Sequence, residues 1–203
     1  LDGAARNQAG RWQQQHALRL SFGLLTSEAD NGDEPIRKTD DLIRLESNLR
    51  YTGSGFFRRF KPYISARVRT PFAKGFHCSS NPFPASHPRA DREAPVQTSA
   101  FLAPATVVET LGLTYAPSDW YPISLSAAAK QTVVRTQNLR VLYDVDRDRL
   151  ARAEGGAEIG ATLDREIAED IRYQSNATVF FSAGQIEDPP DALWENFITM
   201  RVN

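Results

Sequence analysis

The chain lacks any apolar run long enough to cross a membrane as a helix. Such a helix needs about 20 predominantly apolar residues, whereas the longest apolar clusters, such as Thr178–Phe181 and Ser126–Ala129, are far shorter. The sequence therefore excludes helical insertion. It leaves insertion as strands open, because the strands of a membrane barrel are apolar on one face only.

The chain also has a single cysteine and almost no net charge. Cys78 is the only cysteine, so neither an intrachain disulfide nor a cysteine-cluster metal site can form. The chain carries 24 Lys+Arg against 25 Asp+Glu, for a formal net charge of -1, which gives no electrostatic reason to expect nucleic acid as a partner. The segment Leu1–Gly10 has neither the basic start nor the apolar core of a signal peptide. We therefore expect any export signal to lie outside this numbering.

The pattern that dominates the sequence is an alternation of apolar and polar residues. Between residues 43 and 51, for example, the odd-numbered positions are mostly apolar and the even-numbered ones are polar. Such a period of two predicts strands with one apolar face. Glu109, Phe180 and Phe197 interrupt it. The eight predicted strands are Ala17–Leu25, Leu42–Thr52, Phe60–Phe72, Thr106–Tyr115, Trp120–Thr132, Ala157–Ile167, Asp170–Ala183 and Trp194–Asn203.

Long and short connections alternate between these strands. Gly53–Gly55, Ala116–Asp119 and Glu166–Asp170 have the composition of tight turns. Residues 26–40, 75–100, 133–156 and 185–192 form longer connections, and residues 137–152 could hold a short helix. This asymmetry is typical of a membrane barrel, which has short periplasmic turns and long outer loops.

Charged residues share the polar face of the predicted strands. That face lines the interior of a membrane barrel but meets water in a soluble one, and periodicity alone does not choose between the two. Aromatic residues near strand ends and strands of about ten residues favour the membrane barrel. We predict a lumen in which basic residues of the early strands face acidic residues of the later ones. Its charges are Arg19, Arg44, Glu46, Arg50, Arg67, Arg69, Glu158, Asp164, Glu166, Arg172, Glu195 and Arg201.

No motif predicts catalysis or metal binding. A metal site needs at least three ligands in fixed geometry, and a cysteine nucleophile needs a histidine and an orienting group. His77, Cys78 and His87 share one long loop, which is better interpreted as solvated. The segment Asp144–Arg149 begins like a Ca²⁺ loop but lacks the glycine and glutamate that complete one. We expect no enzymatic activity, no catalytic residues, no cofactor and no metal.

The order of several motifs resembles the DUF3078 family, which consists of bacterial outer-membrane β-barrel proteins of unknown function, mainly from the Bacteroidetes. The resemblance implies an outer-membrane location and further strands before and after this region. It implies no activity, because the function of the family is unassigned. The motifs are LRLSFGLL at 18–25, RKTDD at 37–41, YISARVRTPFAKGF at 63–76, FLAPATVVETLGLTYAPSD at 101–119, ISLSAAAKQTVV at 123–134 and LWENFITMRVN at 193–203.

The sequence therefore predicts one domain over residues 1–203, incomplete at one or both ends. It is an all-β, antiparallel, up-and-down transmembrane β-barrel of about eight or more strands, with long loops on one side. We expect it in the bacterial outer membrane. Its expected partners are membrane lipid, other envelope proteins or a second copy of the chain.

Three functions stay open at this point. The first is a structural scaffold that takes part in an envelope complex. The second is a porin or transporter for small solutes. The third is a soluble lipocalin-like carrier with an apolar interior. The scaffold is favoured over the pore, because a barrel of about eight to ten strands has room for little beyond side chains.

Overall fold

The computed structural model describes residues 1–25, 37–184, 187 and 189–201, with the backbone alone at residue 25 and residues 37–40. β-Strands dominate these residues. A short helix, α1 (Phe56–Arg59), precedes the fourth strand, and a 3-10 helix spans Gln137–Tyr143. The strands are β1 (Asp2–Ala9), β2 (Trp12–Leu25), β3 (Arg37–Tyr51), β4 (Phe60–Thr70), β5 (Gly75–His77), β6 (Val96–Ser99), β7 (Ala105–Tyr115), β8 (Ile123–Val133), β9 (Ala151–Ala168), β10 (Ile171–Ser182) and β11 (Asp191–Met200).

Nine of these strands form one antiparallel sheet. Its order is β1-β2-β3-β4-β7-β8-β9-β10-β11, and β5 pairs with β6 in a separate hairpin. Each strand of the large sheet pairs with its neighbour in chain order once β5 and β6 are set aside, which is an up-and-down topology. The prediction of an all-β antiparallel fold with this topology is confirmed. The sheet curls into a half-barrel, because side chains of β3 reach those of β11 across its concave face.

The strand predictions differ from the structure mainly where the sequence is uniformly polar or small. β1 was not predicted, since Asp2–Ala9 has no apolar alternation and is exposed throughout. β2 begins at Trp12 rather than residue 17, because the glutamines at 13–15 carry no periodic signal although they pair in register with β3. β9 likewise begins at Ala151, six residues before the predicted start. The predicted end of the last strand, residues 202–203, lies outside the described residues.

The connections divide between the two ends of the sheet. At one end, which we call the turn end, lie residues 10–11, 52–59, 116–122 and 169–170. At the other, the loop end, lie residues 71–104 and 134–150 and the described residues between β10 and β11. Short turns and long loops thus alternate along the chain, as the sequence predicts. Residues 26–36 and part of 183–190 are not among those described.

Two of the long loops pack on each other and form what we call the loop cap, residues 71–104 and 134–150. The backbone N–H of Arg135 donates to the carbonyl oxygen of Leu102 at 2.8 Å, and the Tyr143 hydroxyl donates to the carbonyl of Thr98 at 2.8 Å. Burial raises the pKa of that Tyr143 hydroxyl. The apolar cluster at the centre of the loop cap is Phe83, Val96, Ala103, Val134, Leu139 and Val145.

Close contacts between strands fix the residue type at some positions of the sheet. A Cβ atom added at Gly156 would lie 2.0 Å from the carbonyl oxygen of Phe181 on the paired strand β10. A Cβ added at the adjacent Gly155 would meet nothing within 4 Å. Only the first glycine is therefore required by the approach of a neighbouring backbone.

We predict that Gly156→Ala lowers the free energy of unfolding by about 1–3 kcal/mol, because the added methyl group must push β9 away from β10. Gly155→Ala is the matched control, and it is expected to be neutral or stabilising by up to about 1 kcal/mol. Urea unfolding followed by tryptophan fluorescence measures both. Equal effects of the two substitutions would show that β9 and β10 do not approach each other as described.

Candidate functional site: the charged interior

The concave face of the sheet is lined with charged side chains. The register aligns Arg19, Arg44 and Arg69 across β2, β3 and β4, and side chains two residues apart along a strand share a face. By this rule the structure places every predicted lumen charge except Arg201 on the concave face. Arg201 follows the end of β11 and is exposed.

Glu195 on β11 joins the two edges of the half-barrel. Its carboxylate accepts a hydrogen bond from Arg44 and lies 3.3 Å from Nη1 of Arg19. Arg44 is only 9 % exposed and also reaches Glu46 at 3.2 Å, while Nε of Arg19 lies 2.9 Å from Asp2. Five side chains from β1, β2, β3 and β11 therefore form one network. Acidic and basic groups from the early strands and the last strand meet there.

A second pair crosses the concave face nearer its centre. Nη2 of Arg67 on β4 donates to Oε2 of Glu158 on β9 at 2.6 Å, and the two side chains are 17 % and 9 % exposed. Two strands, β7 and β8, lie between these two in the order of the sheet. Strongly desolvated charges persist when they are paired in this way. The pair therefore ties opposite walls of the half-barrel together.

Further ion pairs lie towards each end of the interior. Towards the loop end, Lys130 pairs with Asp191 and lies 3.5 Å from Glu154. Towards the turn end, Asp164 accepts two hydrogen bonds from Arg172, both at 2.6 Å. The latter pair is half-exposed, so its contribution to stability is small.

Two of the predicted basic residues on the concave face form no such pair with the residues that the structure describes. Within the described part of the chain, neither Arg50 nor Arg69 forms an ion pair. The Nε atom of Arg50 is buried without a hydrogen-bond partner. Arg69 lies between Arg44 and Thr106 in register. The basic wall is therefore only partly neutralised by the acidic one.

The aromatic residues that interrupt the alternation take part in this interior. The guanidinium of Arg19 lies 4.5 Å from the ring centroid of Phe197, and Nζ of Lys130 lies 5.6 Å from that of Phe180. Both distances suit cation–π contacts. The sequence marks Phe180 and Phe197 as breaks in the pattern, and only the tertiary arrangement shows which cations they contact.

The convex face carries the apolar side chains and leaves them exposed. Leu111 is 64 % exposed, Leu125 62 % and Ile64 53 %. Glu109 departs from this pattern, because it lies on the same face between Ala66 and Ala129. Most apolar side chains of the large sheet therefore point away from its interior, and most of its charged side chains point into it.

Aromatic rings form a continuous chain at the turn end of the convex face. Successive ring centroids lie 5.0, 5.9, 5.5, 4.9 and 5.3 Å apart. At the loop end, Phe22 and Phe72 form another contact at 5.2 Å. The six rings of the turn-end chain are Trp12, Tyr51, Phe57, Phe56, Phe60 and Tyr115.

The histidines and the cysteine of the loop cap make local contacts. Nδ1 of His77 lies 2.8 Å from the carbonyl oxygen of Ser80, and Cys78 is exposed. The His87 ring stacks on Phe83 at 4.4 Å. Desolvation, followed by the charges of Arg89 and Arg147, lowers the pKa of His87. The described residues include no group of three or more His, Cys, Asp or Glu that could hold a metal, and none of their helices is long and apolar enough to span a membrane.

The comparison with family models concerns the first third of the chain. Residues 1–76 match a model described as a protein of unknown function, DUF3078. This match supports a relationship between the chain and the DUF3078 family. It covers β1 to β4 and reaches β5, and therefore includes Arg19, Arg44 and Arg67. Neither the curated proteins nor the solved structures gave a match. The bacterial origin and the outer-membrane location stay predictions.

We predict that Glu158→Ala lowers the free energy of unfolding by about 3–5 kcal/mol, because it leaves the buried Arg67 without its carboxylate. Removing both charges in Arg67→Met/Glu158→Leu should restore most of the loss. Asp146→Ala is the control, because its pair with Arg149 is about three-quarters exposed and should contribute nothing measurable. Urea unfolding tests all three variants, and equal stability of the two single variants would contradict the Arg67–Glu158 pair.

Proposed function

We propose that this chain is a membrane β-barrel protein of the outer-membrane type, which serves as a closed structural scaffold in a bacterial envelope. One observation carries the proposal: charged side chains meet on the concave face, and aliphatic side chains cover the exposed convex face. In water this arrangement would expose a large apolar surface, which soluble monomers avoid. In a bilayer the same convex face meets lipid.

The spacing of the aromatic residues supports insertion of the sheet across a bilayer. Trp12 belongs to the turn-end chain of rings, and Phe22, ten residues further along β2, belongs to the loop-end pair. At about 3.3 Å per residue and a tilt of about 40°, these positions lie about 25 Å apart along the membrane normal. Aromatic girdles flank an apolar band of about this height in outer-membrane barrels.

The ion pairs across the interior favour a closed scaffold over a pore. Glu195 reaches Arg19 and Arg44, and Arg67 reaches Glu158, so side chains from opposite walls occupy the space that a solute would cross. The lipocalin-like alternative requires an apolar interior, and the charged concave face gives it no support.

The position of Glu109 supports the hypothesis that the scaffold binds a partner protein. Its carboxylate lies on the convex face at the middle of β7. An ionisable side chain facing lipid is costly and marks a functional position by default. Under this proposal, protein rather than lipid covers the wall around Glu109.

We predict that Leu45→Arg lowers the free energy of unfolding by about 2–4 kcal/mol, because it places a cation near the middle of the lipid-facing band, two strands away from the strand of Glu109. The matched control is Leu150→Arg, because Leu150 is 54 % exposed in the loop cap and should tolerate the change within about 0.5 kcal/mol. Unfolding in phospholipid vesicles measures both. A neutral effect at both positions would indicate that the convex face meets water, and the protein should then also stay out of the membrane fraction.

We also predict little or no current when the protein is inserted into planar bilayers, because the ion pairs obstruct the interior. Arg44→Ala/Arg67→Ala removes two of the long side chains that cross it and should increase the conductance. A large, stable and weakly selective current from the unmodified protein would contradict the closed scaffold and favour the pore.

A further inference from the structure

A cavity of about 280 Å³ opens on the concave face. It lies towards the loop end, because Arg69 and Thr106 are at the loop-end termini of β4 and β7 and Asp191 is the first residue of β11. Its volume equals that of several water molecules, so it can accommodate a small hydrated ion.

Cations outnumber carboxylates around this cavity. Glu158 and Asp191 line it and neutralise Arg67 and Lys130 respectively. Arg44 also lines it, but the carboxylates that neutralise Arg44 belong to Glu46 and Glu195, outside the lining. That leaves Arg69, for which the described residues provide no carboxylate.

The alignment of arginines places like charges next to one another at this position. Arg19, Arg44 and Arg69 lie directly opposite one another across three adjacent strands. Like charges in directly opposed positions of a sheet destabilise it. Glu195 offsets the first two but makes no ion pair with the third. Removing a positive charge or adding a negative one beside Arg69 would relieve the remaining repulsion.

We propose that the cavity beside Arg69 binds a phosphate group carried by a water-soluble ion or solute. The planar guanidinium of Arg69 matches the oxygens of phosphate through paired hydrogen bonds. Thr106, opposite Arg69 in register and also on the cavity wall, adds a hydroxyl donor. The positive charge of Arg69, which no carboxylate of the described residues neutralises, supplies the electrostatic attraction. The ligand enters from the loop end, above the ion pairs that close the interior.

Isothermal titration of the folded, detergent-solubilised protein with inorganic phosphate at low ionic strength tests the proposal. We expect saturable binding at one site, and Arg69→Gln should weaken it at least tenfold, since a hydrogen bond to a charged group contributes about 1.5–3 kcal/mol. Arg69→Lys should bind at an intermediate level, because it keeps the charge but loses the paired geometry. Arg58→Gln, on α1 at the turn end, is the control and should bind like the unmodified protein.

Thermal unfolding provides a second measurement that does not depend on binding heats. Phosphate should raise the melting temperature of the unmodified protein and of Arg58→Gln, but not of Arg69→Gln. Absence of saturable binding, or equal binding by Arg69→Gln, would overturn the proposal. Preference for acetate over phosphate would replace it with a carboxylate site. Membrane insertion is measured separately with Leu45→Arg, so the failure of either idea can be recognised on its own.

Discussion

The contact of Glu195 with Arg19 and Arg44 is the interaction on which the shape of the large sheet depends. Backbone hydrogen bonds join each strand to its neighbours, and they would do so equally well in a flatter sheet. A carboxylate on β11 can reach β2 and β3 only if the nine strands curl until the two margins approach. The Arg67–Glu158 pair likewise requires β4 and β9 to approach each other across the interior. These ion pairs can form only in a curved sheet, and they therefore stabilise the curvature that places the charged face on the concave side.

The apolar residues of the molecule are divided between two very different settings. Some of those in the loop cap, such as Leu139 and Val134, are completely buried and pack as in an ordinary protein core. Those on the large sheet, such as Leu111 and Leu125, are mostly exposed. The loop cap thus has a local hydrophobic source of stability in water. The sheet has its polar contacts inside, and only an apolar medium on its outside would give it a comparable hydrophobic stabilisation.

The alternation of residues was enough to predict most strands and the shared face of the charges. It predicted these because a period of two depends on local sequence alone. It could not predict β1, whose residues are small or polar on both faces, or the early start of β9, where alanines and glycines carry no contrast.

Individual partners depend on which strands meet after the sheet curls. The assignment of Arg67 to Glu158, and the absence of an ion pair at Arg69 among the described residues, therefore required the three-dimensional arrangement. The contacts of Phe180 and Phe197 with Lys130 and Arg19 also required it.

The number of strands in the large sheet determines how its two margins, β1 and β11, can be joined. Each neighbouring pair is antiparallel, so the direction reverses eight times between β1 and β11, and these two margins run the same way. Direct hydrogen bonding between them would create a parallel seam in an otherwise antiparallel wall, with slanted and slightly weaker bonds. A fully antiparallel cylinder would instead require an odd number of additional strands between the two margins. The parity of the sheet thus limits the ways in which its circumference can be completed.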